Sequence, residues 1–348
     1  MRRLYETRHI PAARRLAAWL LAAVFSLSLC AQSAWAAPAA PAERTVIPLG
    51  KAVGIKLFAA GVLVVGLADG DTPARTCGLR QGDIITAMDG TAIDSTEQVQ
   101  SLLAEAAGQE TTLTVRRGSS TLALSACARP GAGGAWQLGA WIRDSMAGIG
   151  TLTFADPQTG VFGSLGHGIC DAETGVLLPL SEGDLIYSTV ETVTRGKSGA
   201  PGALQGDFSD ARPIGTVTKN TVHGIFGTLS DLSLLSGQGA LPVAARDEIQ
   251  TGDAEIIANI DGDKVQRYSV QIVRLYPEND EYGRGMMLRV TDETLLAQTG
   301  GILQGMSGSP VVQNGRLIGA VTHVLVDDPA SGYAICIDDM LREAESVA

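Results

Sequence analysis

Beyond residue 45 the chain is written in short apolar runs broken by glycine-rich turns, the pattern of a β-protein. Gly54-Ile55-Lys56-Leu57 and Gly61-Val62-Leu63-Val64-Val65 predict two strands. A helical period appears over residues 96–107, with Ser95 as its N-cap and Glu97 in its first turn. Residues 111–116 and 121–125 predict a hairpin closing around Gly118. Further strands are predicted at 150–154, 161–165, 185–193, 214–217, 256–260, 269–275, 287–291, 311–312, 317–326 and 333–337. Helical patterns are scarce in this half, the best being 294–298 and 338–346. Many short strands with turn signals between them predict a sandwich or barrel, and about 210 residues suit a body of two barrels.

Two stretches stand outside this pattern. Arg2, Arg3, Arg8, Arg14 and Arg15 precede an apolar run at 16–31 and a small-x-small site at Ala34-Trp35-Ala36, the layout of an export signal over residues 1–36. The run is short for a spanning helix, so a cleaved signal and a retained membrane anchor both stay open. Residues 37–49 read as a spacer that begins rich in Ala and Pro, and Pro130-Gly131-Ala132-Gly133-Gly134 marks a linker at 129–135. The expected units are therefore 50–128 and 136–348.

Composition narrows the partners. The net charge is −11, and loss of residues 1–36, with five Arg and one Glu, makes it −15. Such an acidic chain lacks the clustered Lys and Arg that nucleic acid requires. Cys77, Cys127, Cys170 and Cys336 follow the signal without C-x-x-C spacing, so no zinc site is expected and they read as small buried hydrophobes. Their pairing is left open. Nothing in the sequence asks for a metal or cofactor.

The candidate chemistry lies at Gly305-Met306-Ser307-Gly308-Ser309-Pro310. Glycines on either side of a serine allow a tight turn with inward amides, and those of Gly305 and Ser307 would form an oxyanion hole. A glycine-rich turn before a buried strand is the competing reading. A serine nucleophile needs a base and an orienting acid. Among His167, His223 and His323, His167 ranks first because glycines flank it in Gly166-His167-Gly168 at a strand end. Asp292 is the expected acid, fifteen residues before Ser307, ahead of Asp171, Asp327 and Asp328. Gly196-Lys197-Ser198-Gly199-Ala200-Pro201 repeats the serine motif, and Ser198 is read as structural. The Asn314-Gly315 pair then predicts a hairpin turn.

Two resemblances organise these residues. Ala74 with Gly78-Leu79-Arg80-Gln81-Gly82-Asp83-Ile84-Ile85, followed by the Asp89-Gly90 turn, resembles the core signature of PDZ domains over residues 50–128. That implies a module that binds a peptide or C-terminus as an added strand, with Gly54, Ile55 and Leu57 lining its groove. The second rests on Leu138-Gly139-Ala140-Trp141-Ile142-Arg143-Asp144-Ser145-Met146-Ala147-Gly148-Ile149-Gly150, Gly166-His167-Gly168-Ile169, the Ser307 loop and Gly319-Ala320-Val321-Thr322-His323-Val324. Together these resemble the SpoIVB peptidases of endospore-forming bacteria.

This resemblance implies a mainly β chain, a PDZ domain followed by a trypsin-like double β-barrel serine peptidase domain. It implies catalytic His167, Asp292 and Ser307. It further implies an exported endopeptidase of the forespore intermembrane space, cleaving itself and then the regulator of an intramembrane metalloprotease. That cleavage activates a late mother-cell sigma factor. Two alternatives remain: an HtrA-like quality-control protease, in which the peptidase normally precedes the PDZ domain, and an inactive PDZ scaffold.

Overall fold

The computed structural model describes residues 44–210, 212–276 and 283–347. The expected export signal at 1–36 and most of the Ala/Pro-rich start of the expected spacer lie outside the described residues. The end of that spacer is already structured, as strand β1 (Thr45–Pro48), and β2 (Ala52–Leu67) follows at once.

A small module comes next: α1 (Pro73–Thr76), β3 (Ile84–Met88), β4 (Thr91–Ala92), α2 (Thr96–Ala106), β5 (Glu110–Arg117) and β6 (Ser120–Cys127). Its predicted features hold. Ser95 accepts the Gln98 amide at 3.3 Å, which satisfies one of the donors a helix start leaves over. Asp89 and Gly90 take positive φ in the β3–β4 turn. Asp83 of the signature is buried, where it holds the Arg80 amide and pairs with Arg117 at 2.7 Å. Residues 129–135, expected as a free linker, are bracketed by a short hairpin of β7 (Arg129–Pro130) and β8 (Trp136–Gln137).

The remaining strands build two barrels. The first contributes β9 (Ala140–Ala155), β10 (Val161–Ser164) and β11 (Leu180–Tyr187). A separate hairpin of β12 (Thr189–Thr194) and β13 (Ala203–Asp207) interrupts it before β14 (Pro213–Thr221) and β15 (Gly224–Leu229). Antiparallel pairings run β2–β9–β10–β15–β14–β11 and back to β2, which closes a six-stranded ring. The short β16 (Leu241–Pro242) pairs with β1, which leads to the second barrel. That barrel holds β17 (Gly252–Asp261), β18 (Lys264–Leu275), β19 (Met286–Val290), helix α3 (Glu293–Thr299), β20 (Pro310–Gln313), β21 (Arg316–Val324) and β22 (Ser331–Cys336). Its strands close in the order β17–β18–β19–β22–β21–β20. Helix α4 (Ile337–Ala344) ends the chain's regular structure, its Met340 and Leu341 packed with Phe154, Phe226 and Ile335.

Strands β2 and β9 decide the layout. The sequence predicts two strands over 54–65; the structure has one, unbroken through Gly61 at φ +106. Residues 53, 55 and 57 sit in the core of the first barrel, while residues 62 and 64 sit in the core of the small module. Apolar on both sides and shared by two cores, β2 shows near-continuous burial rather than alternation. β9 is divided in the same way, with Arg143 and Ile142 opposite Leu63 and Val64, and Gly148 and Ile149 opposite Ile55 and Gly54.

This corrects the groove assignment and the boundary at residue 50. Gly54, Ile55 and Leu57 pair with Ile149, Gly148 and Met146 on one side and with Ile186, Leu185 and Gly183 on the other. Neither edge is left for an added peptide. The cysteines differ from expectation too: all four are free thiols, Cys336 buried, Cys77 half-buried, Cys127 and Cys170 exposed.

Candidate active site

The serine loop sits where the two barrels meet, between α3 and β20. Thr151 donates to the backbone of this loop: its amide gives to the Ser307 carbonyl at 3.0 Å, and its hydroxyl gives to the Gly305 carbonyl at 2.8 Å. The carbonyl of Thr151 in turn receives the Ser164 hydroxyl at 2.6 Å. Thr151 on β9 is buried and clamps both carbonyls of the loop.

Gly305 and Gly308 both have φ +97, a region L side chains avoid. A Cβ on Gly308 would lie 2.0 Å from the Thr151 carbonyl oxygen. The Gly308 amide is used, donating to Val321 at 2.7 Å. The amides of Gly305 and Ser307 donate to no acceptor among the described residues. Two neighbouring unspent donors beside a serine are what a developing oxyanion requires.

Ser307 and Gly305 line a cavity of about 290 Å³ with His167 and Gln304, walled by Ile55, Met146, Ile149, Leu165 and Ile169. His167 arrives there through a strained turn. Leu165 and Gly166 have φ +68 and +69, and a leucine in that region stays only where its surroundings hold it. Leu165 is buried in the core of the first barrel. The His167 Nδ1 lies 2.9 Å from the Gly168 carbonyl. A carbonyl only accepts, so Nδ1 carries the proton and Nε2 keeps its lone pair. Burial pushes the imidazole below the ordinary histidine range, and the Gly168 carbonyl works in the other direction.

The Ser307 hydroxyl donates to the Thr322 carbonyl at 2.7 Å. Next to Thr322, His323 brings its ring to 5.1 Å from that of His167, centroid to centroid, tilted by 36°. Sequence reasoning ranked His323 behind His167. The hairpin register carries the missing signal: Gln313 faces Arg316 and Pro310 faces Ala320. Counting outward from Asn314-Gly315 puts residues 322–323 across from Ser307.

Asp292 is not brought to this cavity. It is the N-cap of α3, with Oδ1 accepting the Leu295 amide at 2.9 Å and Oδ2 the Ser269 amide at 3.4 Å. No carboxylate contributes to the displacement of His167 from its ordinary range. An Asp followed by Glu293 at a helix start is an N-cap signature, and that local role takes the side chain.

The other candidates are also spoken for. Burial works against the charge on Asp171, but the Thr174 hydroxyl and amide, Arg143 and the Glu173 amide together hold it below the usual carboxylate range. Asp328 accepts the Ser331 hydroxyl at 2.7 Å, and Asp327 is exposed. His223 faces Glu343 at 3.3 Å. Ser198 is exposed on a hairpin tip. Among the described residues, no group of three or more His, Cys, Asp or Glu side chains is placed to hold a metal ion, and no helix is long and apolar enough to cross a membrane.

Comparison with known proteins supplies the class. The family model for the SpoIVB peptidase S55 matches residues 134–341, and that for a PDZ domain matches residues 64–117. No curated protein matches the sequence. Among solved structures, the PDZ domain of the SdrC-like protein from Listeria monocytogenes is 22% identical over 24% of this chain and 87% of its own, at a TM-score of 0.22. The active form of the Rv3671c protease from M. tuberculosis is 15% identical over 58% of this chain and 75% of its own, at 0.32. The HtrA-type protease AlgW with a decapeptide is 10% identical over 86% and 65%, at 0.35. At these scores the fold is better read from the strand pairings.

Two six-stranded barrels, a PDZ domain and the matched peptidase model define a PDZ-containing serine endopeptidase. More narrowly, the chain belongs to the SpoIVB peptidase S55 family.

Proposed function

We propose that Ser307 is the nucleophile and His167 its general base. The observation that carries this is one cavity lined by Ser307, His167 and Gly305, beside the unspent amides of Gly305 and Ser307. When substrate binds, the Ser307 hydroxyl leaves the Thr322 carbonyl and gives its proton to His167 Nε2 as Oγ attacks the scissile carbonyl. The oxyanion is held by the Gly305 and Ser307 amides. His167 then protonates the leaving amine, and water deprotonated by the same nitrogen hydrolyses the acyl-enzyme.

The biological reading is a signalling endopeptidase of sporulation, exported into the forespore intermembrane space. It cleaves itself and the regulator of an intramembrane metalloprotease, upstream of a late mother-cell sigma factor. Family membership, the basic and apolar start of the chain and the PDZ domain ahead of the peptidase support it. To test it, the purified full chain is incubated alone and with unfolded casein, and the products are sequenced by mass spectrometry. A few self-cleavage sites, absent in Ser307→Ala, with casein left intact are expected. Broad digestion of casein would point to quality control instead.

A further inference from the structure

We infer that β9 carries a specificity pocket beside the scissile bond, in which Gly148 leaves room for an apolar side chain of the substrate; this rests on the proposed roles of Ser307 and His167. Glycine inside a strand weakens it, and marks a bulge, a sharp bend, or a place where another backbone or a ligand comes close. β9 is regular here: Met146 to Gly150 pair one by one with Leu57 to Val53. Gly150 is explained by packing, since a Cβ there would lie 2.2 Å from Leu165 Cδ2 and 3.0 Å from Ile55 Cδ1. Gly148 has no such neighbour. A Cβ on it would meet nothing within 4 Å, and its φ lies outside the left-handed region. Of the reasons for a strand glycine, an approaching ligand is the one left.

Alternation along the strand turns Met146, Gly148 and Gly150 to one side, together with Ile55, which stands opposite Gly148 in β2. Met146, Gly148 and Ile55 line the cavity of about 290 Å³ that holds Ser307, His167 and Gly305. Ile55 and Leu165 belong to the core of the first barrel, and Met146 and Ile169 pack against it, so the wall is backed by fixed side chains. His167 is the one titratable side chain in that wall. A charged substrate side chain would lose its water there without gaining a partner, whereas an apolar one buries surface. The volume is at the small end for ligand sites, room for one side chain rather than a length of peptide. The substrate class is therefore a polypeptide with a leucine-, methionine- or phenylalanine-sized residue adjoining the bond that is cut. Ile55, expected in the groove of the PDZ domain, faces that residue instead.

The test compares two fluorophosphonates on the full chain, one with an alkyl arm and one with an oligo(ethylene glycol) arm of equal length, and reads the ratio of their labelling rates. Wild type must label and Ser307→Ala must not; if this control fails, the proposed catalytic roles fail and not the present inference. With the control met, the alkyl probe is expected to label wild type roughly tenfold or more faster than the glycol probe. Gly148→Leu, whose side chain enters the open space, should bring the ratio to within about threefold of one. Met146→Gln keeps the length of the wall residue, makes it polar, and should lower the ratio by about threefold or more. Circular dichroism melting checks each variant, and Gly148→Ala is read by the same ratio, with the same direction expected, if Gly148→Leu does not fold or labels with neither probe. Equal rates in wild type would overturn the inference. So would a wild-type ratio kept in the folded Gly148 variant or in Met146→Gln.

Discussion

The motif Gly-x-Ser-Gly-x-Pro occurs at residues 196–201 and again at 305–310, and the two copies fold differently. In the first, Lys197 and Ala200 exchange backbone hydrogen bonds at 3.0 and 2.9 Å, so Ser198 and Gly199 form the tip of a tight hairpin in solvent. In the second, only one of these bonds remains, from the Ser309 amide to the Met306 carbonyl at 3.0 Å, while the Met306 amide turns to the Leu303 carbonyl at 3.1 Å. Thr151 grips the carbonyls of Gly305 and Ser307 while Val321 takes the Gly308 amide, and the loop is held open around two unspent donors. The first copy even braces the second: the Gly202 carbonyl accepts the Gln304 amide at 2.8 Å and the Leu204 amide returns a bond to Gln304. The same six-residue pattern therefore makes a solvent-exposed hairpin in one place and the proposed catalytic loop in the other. What separates them is the strand each copy meets.

Breaking the comparison at its glycines should give the largest effect. Gly308→Ala forces a Cβ against the Thr151 carbonyl at φ +97 and should destabilise the chain by more than about 3 kcal/mol, read by chemical denaturation. The matching Gly199→Ala, at φ +78 with open space around it, should cost about 1 kcal/mol and leave activity unchanged.

Next comes the clamp. Thr151→Val keeps shape but leaves the Gly305 carbonyl without its donor, for a loss of about 1–3 kcal/mol and a drop of roughly tenfold or more in labelling rate.

Smaller still is Asp292→Ala, which removes the cap of α3 for about 1 kcal/mol, while Asp292→Asn should be nearly neutral; melting curves distinguish them.

The smallest change is in pH dependence. His167 must be neutral to act, and burial lowers its pKa, so labelling should rise with pH through a midpoint below the ordinary histidine value of about 6.5. The sign for stability follows. The folded chain resists protonating His167 while the unfolded chain does not, so this contribution is present above about pH 6.5 and is lost as pH falls from there through the folded value.

Much of this was legible locally. Ser95 before its helix, the Asn314-Gly315 turn with φ +51 and +75, and the histidine and serine flanked by glycine each announce themselves within a few residues. The parts that were not legible depend on distant pairing. Gly61 reads as a break between strands, and only Ile85 and the partners along β9 show that the strand continues past it, through a shift of register between Phe58 and Leu63. Gly54, Ile55 and Leu57 look like a peptide groove until β11, more than a hundred residues later, covers their second edge. Asp292 has the right spacing for a triad, and the helix start three residues before Leu295 also draws on its carboxylate, through the Leu295 amide at 2.9 Å. His323 had no local mark at all. Its place follows from hairpin register, which sets what stands opposite Ser307.

The central claim is that the strand context, and not the motif, makes the nucleophile. Fluorophosphonate labelling of the full chain with mapping of the modified peptide tests it most directly. The account predicts a single adduct on Ser307 in wild type and in Ser198→Ala, and none in Ser307→Ala. An adduct on Ser198, or labelling that survives Ser307→Ala, would contradict it.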